Sequence, residues 1–201
     1  MYSSVEKTKE VAKRRSAGKL LTIAVAAGLA TMPFLQASAE PARHSHAPQN
    51  SQTPSWMIAD AGSKTVEFKI EAAKTNANSS LNFNGYAKGD MTLVVPLGWH
   101  VKIDFSNNDS SVPHSLVVMA VQKSLPIEVS EKQAAFDGAS TSSPVSGIVA
   151  GKTVNVEFSA DKAGKYWLIC GVPGHAVQGM WDYLEVSSST KSPHVSTASG
   201  S

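Results

Sequence analysis

Apolar and polar residues alternate at every second position in Val66-x-Phe68-x-Ile70, Val101-x-Ile103-x-Phe105 and Val154-x-Val156-x-Phe158. A period of two places the apolar set on one side of an extended chain, so each stretch predicts a strand with one buried face. Residues 91–95, 115–121, 165–170 and 180–186 are further strands, apolar enough to pack on both faces. Pro96-Leu97-Gly98 and the stretches 106–111 and 161–164 carry the turn residues that separate them. About seven short strands with little helical periodicity predict an all-β sandwich. The longest interruption, residues 122–150, is polar and holds Pro126 and Pro144; residues 128–136 could form one short helix inside it. No internal repeat is visible.

The ends of the chain follow other rules. Lys7, Lys9, Lys13, Arg14, Arg15 and Lys19 precede an almost wholly apolar run at 20–30, and Ala37-Ser38-Ala39 supplies small residues suited to signal peptidase. This is the three-part layout of a secretory signal, with cleavage expected after Ala39. The rival is an uncleaved anchor, but the apolar run to Leu35 is interrupted by Pro33 and falls short of the ~20 residues a spanning helix needs. Residues 40–54, rich in Pro, Ser, Gln and Asn, predict a flexible linker in which His44 and His46 are solvated. Residues 55–187 then form the folded domain, and residues 188–201, mostly Ser, Thr, Gly and Lys, predict a disordered tail that includes His194.

Charge and cysteine content change this picture in two ways. The formal net charge is +2, but residues 1–39 hold six Lys and Arg against two Glu, so the remainder carries −2. Apparent basicity belongs to the leader, and no clustered basic face suggests nucleic-acid binding. Exported proteins normally pair their cysteines, yet Cys170 is alone, which excludes an internal disulfide. A lone thiol in an oxidising compartment is either buried or ligated to a metal.

Its neighbours favour a metal. In Tyr166-Trp-Leu-Ile-Cys170-Gly-Val-Pro-Gly-His175-Ala-Val-Gln-Gly-Met180, an apolar strand ends at Cys170 and a glycine-rich loop carries His175 and Met180 before the next strand. Pro113-His114-Ser115 opens another strand far upstream. Cys170, His175, Met180 and His114 thus offer a thiolate, two imidazoles and a thioether. Two histidines and a cysteine with a weak axial methionine suit copper in both oxidation states. Zinc is the chemical rival, but structural zinc sites favour paired cysteines and methionine is not an ordinary zinc ligand. Taken singly, Met180 could be core filler, His114 a hydrogen-bonded strand histidine and Cys170 a small buried hydrophobe. The joint spacing Cys-x4-His-x4-Met is much harder to reach by chance.

With Asn84-Gly85-Tyr86, Val112-Pro113-His114-Ser115 and the block 166–181, residues 81–186 resemble the cupredoxins, most closely their sulfocyanin and rusticyanin branch. The resemblance implies a cupredoxin-like Greek-key β-sandwich with one copper at one end. It implies single-electron transfer between respiratory partners such as cytochromes or a terminal oxidase, without a substrate site. Many cupredoxins place Asn after the first histidine ligand to tie the two ligand loops; here Ser115 stands there, with a hydroxyl able to bond locally and an N–H able to point at the Cys170 sulfur.

The expected protein is therefore a monomeric exported carrier, periplasmic, or held at the outer face of the cytoplasmic membrane if the signal is not cleaved, with room for peripheral membrane association. The apolar shell of Val172, Ala176, Val177, Trp167 and Trp181 predicts a reduction potential on the high side, and the surface near His175 is the expected doorway for electrons. His100 reads as structural or solvated. A copper carrier or chaperone, or the electron-donating subunit of a larger copper oxidoreductase, are the alternatives. An enzyme with a second copper centre would need histidines and a domain that this length does not supply.

Overall fold

The computed structural model describes residues 53–198. The leader, most of the linker, His44 and His46 lie outside the described residues, and among those described no helix is long and apolar enough to cross a membrane. Among the described residues, nine strands run in the order β1 Met57–Asp60, β2 Thr65–Ala72, β3 Met91–Pro96, β4 His100–Asn107, β5 Val117–Ala120, β6 Thr153–Ser159, β7 Gly164–Ile169, β8 Trp181–Ser187 and β9 His194–Thr197. They form two sheets, β1-β2-β4-β6 and β5-β7-β8-β3-β9. Each sheet is mixed: β2 runs parallel to β4 and β3 parallel to β8, while the other pairs are antiparallel.

The alternation read from the sequence is the packing of this sandwich. Val66, Phe68 and Ile70 of β2, Val101, Ile103 and Phe105 of β4, and Val156 and Phe158 of β6 are buried in one core. Leu93 and Val95 of β3, Tyr166 and Leu168 of β7, and Leu184 and Val186 of β8 belong to the same core. Cys170 is the next inward position after Tyr166 and Leu168, which is why the strand delivers its sulfur to the interior end of the sandwich.

Three segments differ from expectation. The region read as a tail, residues 188–201, supplies β9, which pairs antiparallel with β3 and places His194 opposite Val94. The stretch 128–136 forms only a single 3-10 turn, Glu131–Gln133. Gln133 closes that turn by accepting the Ser130 N–H at 2.9 Å. Beyond it the backbone pairs with the edge of β5 instead of continuing a helix: Ala135 N–H donates to the Val118 carbonyl at 2.8 Å. The remainder of 122–150 follows the same edge, through Val118 N–H to Ala139 O and Thr141 N–H to Leu116 O. Finally β1, absent from the sequence reading, covers the outer edge of β2.

On β8 one inward position is not apolar. Asp182, on β8 between Met180 and Leu184, is fully buried; one carboxylate oxygen accepts the Met91 N–H at 3.0 Å and the other has no partner. Burial, aided by nearby Asp90, pushes its pKa from 3.8 to about 8. A pKa raised in the folded state gives stability that is fully present below the unfolded value and lost as pH rises to the folded one. Wild type should therefore lose stability between about pH 4 and 8. Asp182→Asn, which keeps an acceptor for Met91, should flatten that slope in urea denaturation followed across pH. An unchanged slope would show that Asp182 is not its source.

Candidate metal centre

Each residue of the site is placed by backbone bonds rather than by chance proximity. His114 precedes β5 and is clamped to Ile148 by a reciprocal pair, Ile148 N–H to His114 O at 2.7 Å and His114 N–H to Ile148 O at 3.2 Å. The downstream loop is closed on itself: Cys170 N–H donates to Met180 O, Met180 N–H to His175 O, and His175 N–H to Val172 O, all within 3.0–3.1 Å. Gly179 sits at φ +105°, and a Cβ there would lie 2.8 Å from the Lys88 side chain, so the turn into Met180 needs glycine. Gly171 leaves room for the neighbouring loop, since a Cβ would lie 2.5 Å from the Val129 carbonyl oxygen.

The side chains converge. Ligand atoms of His114, Cys170 and His175 all lie within 4.8 Å of one another. The Cys170 sulfur is 3.4 Å from His175 Nδ1, and the two imidazoles have ring centroids 5.0 Å apart. His114, Cys170 and Met180 have no solvent exposure, and His175 keeps 8%. Met180 joins the group through its bonds to Cys170 and His175 and packs in the core beside Cys170. His100 and His194 stand outside the cluster; His100 instead faces Glu157 at 3.4 Å on the surface.

The electrostatics fit a soft metal. Burial lowers the pKa of both histidines, that of His175 to about 4, where His114 beside it adds to the effect. Both imidazoles are thus neutral near neutral pH with a lone pair to offer. Burial pushes the Cys170 thiol up, against the N–H groups of Ser115 and Val172, so a thiolate here needs a bound cation. Both ring nitrogens of buried His114 lack a hydrogen-bond partner, a costly state that coordination relieves. The donor set, one thiolate, two neutral imidazoles and a thioether, suits copper.

Ser115 makes the contact with the Cys170 sulfur that the sequence leads one to expect, and adds a bond to Gly171 that the sequence does not announce. Ser115 points its N–H at the Cys170 sulfur at 3.4 Å, its hydroxyl lies 3.7 Å from the same sulfur, and that hydroxyl oxygen accepts the Gly171 N–H at 2.8 Å. Ser115 therefore ties the two loops together. Ser115→Ala leaves the buried Gly171 N–H without an acceptor, at a cost of about 1–3 kcal/mol. Urea denaturation of the metal-free protein measures it; a loss under ~0.5 kcal/mol, the range of neutral surface changes, would contradict the tie.

The sulfocyanin (SoxE) domain family matches residues 53–197 of the chain. Sulfocyanin of Sulfolobus acidocaldarius is 34% identical over 141 residues, covering 67% of this chain and 69% of that one. A solved rusticyanin variant shares the fold at a TM-score of 0.50 and 20% identity, over 68% of this chain and 86% of its own. A reduced rusticyanin aligns at a TM-score of 0.49 and 22% identity, over 69% and 89%. With its mixed two-sheet sandwich and its His, Cys and His cluster, the chain belongs to the sulfocyanin family, in the sulfocyanin and rusticyanin branch of the cupredoxins, and its cofactor is one type 1 copper.

Proposed function

We propose that this type 1 copper electron carrier holds its metal through His114, Cys170, His175 and Met180, works outside the cytoplasm, and passes single electrons between respiratory redox proteins. The observation that carries the ligand set is the buried convergence of three donor atoms within 4.8 Å, with Met180 bonded to two of their residues through the backbone. Bound copper supplies a one-electron Cu(II)/Cu(I) couple. The chain supplies everything else. His114 and His175 present neutral lone pairs. Cys170 offers a sulfur whose negative charge the Ser115 N–H partly offsets, favouring the reduced state. The sandwich keeps water from three of the four ligands.

His175 is the only one of the four with any exposure. Around it the surface is apolar: Val177, two residues on, is 51% exposed, Val112, two before His114, is 37% exposed, and Ile127 is 69% exposed while its carbonyl accepts the Gly174 N–H. A small apolar rim suits brief docking, because contacts between redox partners are small and must separate quickly. Burial of the ligands also supports a high potential and disfavours a carrier that hands its metal on. Export is supported by the leader pattern of residues 1–39 and by the unpaired Cys170, which a metal would protect.

Mature protein loaded with Cu(II) should become intensely blue or green through thiolate-to-metal charge transfer and bleach reversibly on reduction. The band should vanish in Cys170→Ala, and isolated respiratory membranes should reduce and reoxidise the wild type. A colourless one-to-one complex would overturn the ligand set; a coloured protein inert towards membranes would overturn the respiratory role.

A further inference from the structure

The loop before His114 contains an acid that none of the four ligands explains. Asp109 Oδ2 lies 3.6 Å from His114 Nε2. The ring is fully buried, and among the described residues no acceptor reaches Nε2 within hydrogen-bonding distance. The separation exceeds a made hydrogen bond by about 0.4 Å, so a small movement closes it.

The carboxylate is held in that place from several directions. Its other oxygen, Oδ1, accepts the N–H groups of Ser111 and Val112, each at 2.9 Å, and the Ser111 hydroxyl at 3.3 Å. Asn107, buried at the end of β4, fixes the loop from below: its Oδ1 accepts the Asp109 N–H at 2.8 Å, and its Nδ2 donates to Val112 O and Ile148 O at 2.9 Å each. Ile148 is the residue that clamps the His114 backbone. Asn107 therefore holds both the acid and the residue that clamps the His114 backbone, so the two groups are kept facing each other.

We propose that Asp109 is a positioning residue for the metal site: its carboxylate favours the His114 tautomer with the proton on Nε2 and Nδ1 free for copper, and sets a fixed negative charge behind that ligand. A neutral imidazole carries its proton on one nitrogen only, and a carboxylate behind a ligating histidine selects which one and fixes the ring. The same charge favours the more positive metal state, so Asp109 opposes the rise in potential that burial brings. This inference rests on the ligand set proposed above.

Asp109→Asn separates positioning from folding, because its carbonyl oxygen can still accept the Ser111 and Val112 N–H groups while the charge disappears. In the full copper-loaded chain, Cu(II) affinity should fall about tenfold or more, Cu(I) affinity should fall less, and the reduction potential should rise accordingly. Asp109→Ser, which also removes the charge but keeps a shorter loop acceptor, should raise it too. In metal-free protein, nitrogen-15 NMR should place the His114 proton on Nε2 in wild type and show that preference weakened in Asp109→Asn. An unchanged or lowered potential in Asp109→Asn, or a wild-type His114 protonated on Nδ1, would overturn the proposal. If wild type gave no thiolate band, the ligand set would fail instead, and the metal-free NMR result would still decide the tautomer.

Discussion

Ser115 lies where the two metal-binding segments meet, its N–H directed at the Cys170 sulfur and its hydroxyl accepting the Gly171 N–H. These contacts span 55 and 56 residues of sequence, so neither loop can shift without the other. They also carry the interior end of the sandwich, because Cys170 continues the inward row of β7 and Leu116 continues inward from Ser115. A site held this way keeps one geometry whether or not its metal has gained an electron, which is the condition for rapid one-electron transfer with little rearrangement.

Burial imposes an opposite cost. Removing a thiol, two imidazoles and a thioether from water leaves polar atoms without partners, as both nitrogens of His114 are. The fold accepts that cost only where a metal will satisfy them. The surrounding residues divide the remaining electrostatic work. Ser115 and Val172 offset negative charge on sulfur, and Asp109 sets negative charge behind the opposite ligand. Among the described residues, Asp182, two residues from Met180, is the one deeply buried acid with an oxygen left unpaired, and it sits in the row of β8 that otherwise joins the apolar core.

The sequence made the inward rows of β2, β4 and β6 readable because one face is buried and the other is wet, so alternation survives in the residue pattern. The proposed ligand quartet is readable for a different reason: three of its members fall on one short loop with fixed spacing. β9 was not readable, because it is a four-residue edge strand with Val195 as its single apolar residue, too short to show a period, and it is held by pairing with β3. The edge contacts of 122–150 depend on partners in β5, and no local pattern announces them. Asn107 and Asp109 looked like ordinary turn residues. Their roles appear only when the turn is seen to lie against His114 and Ile148. The burial of Asp182 is written in the sequence, since its parity with Leu184 and Val186 assigns it to the buried face.

If one closed site serves both oxidation states, X-ray absorption at the copper edge on oxidised and reduced protein shows it most directly. Two nitrogen donors and one short sulfur donor are expected in both states, with the same coordination number. Loss of a histidine on reduction, or gain of a solvent ligand on oxidation, would contradict it.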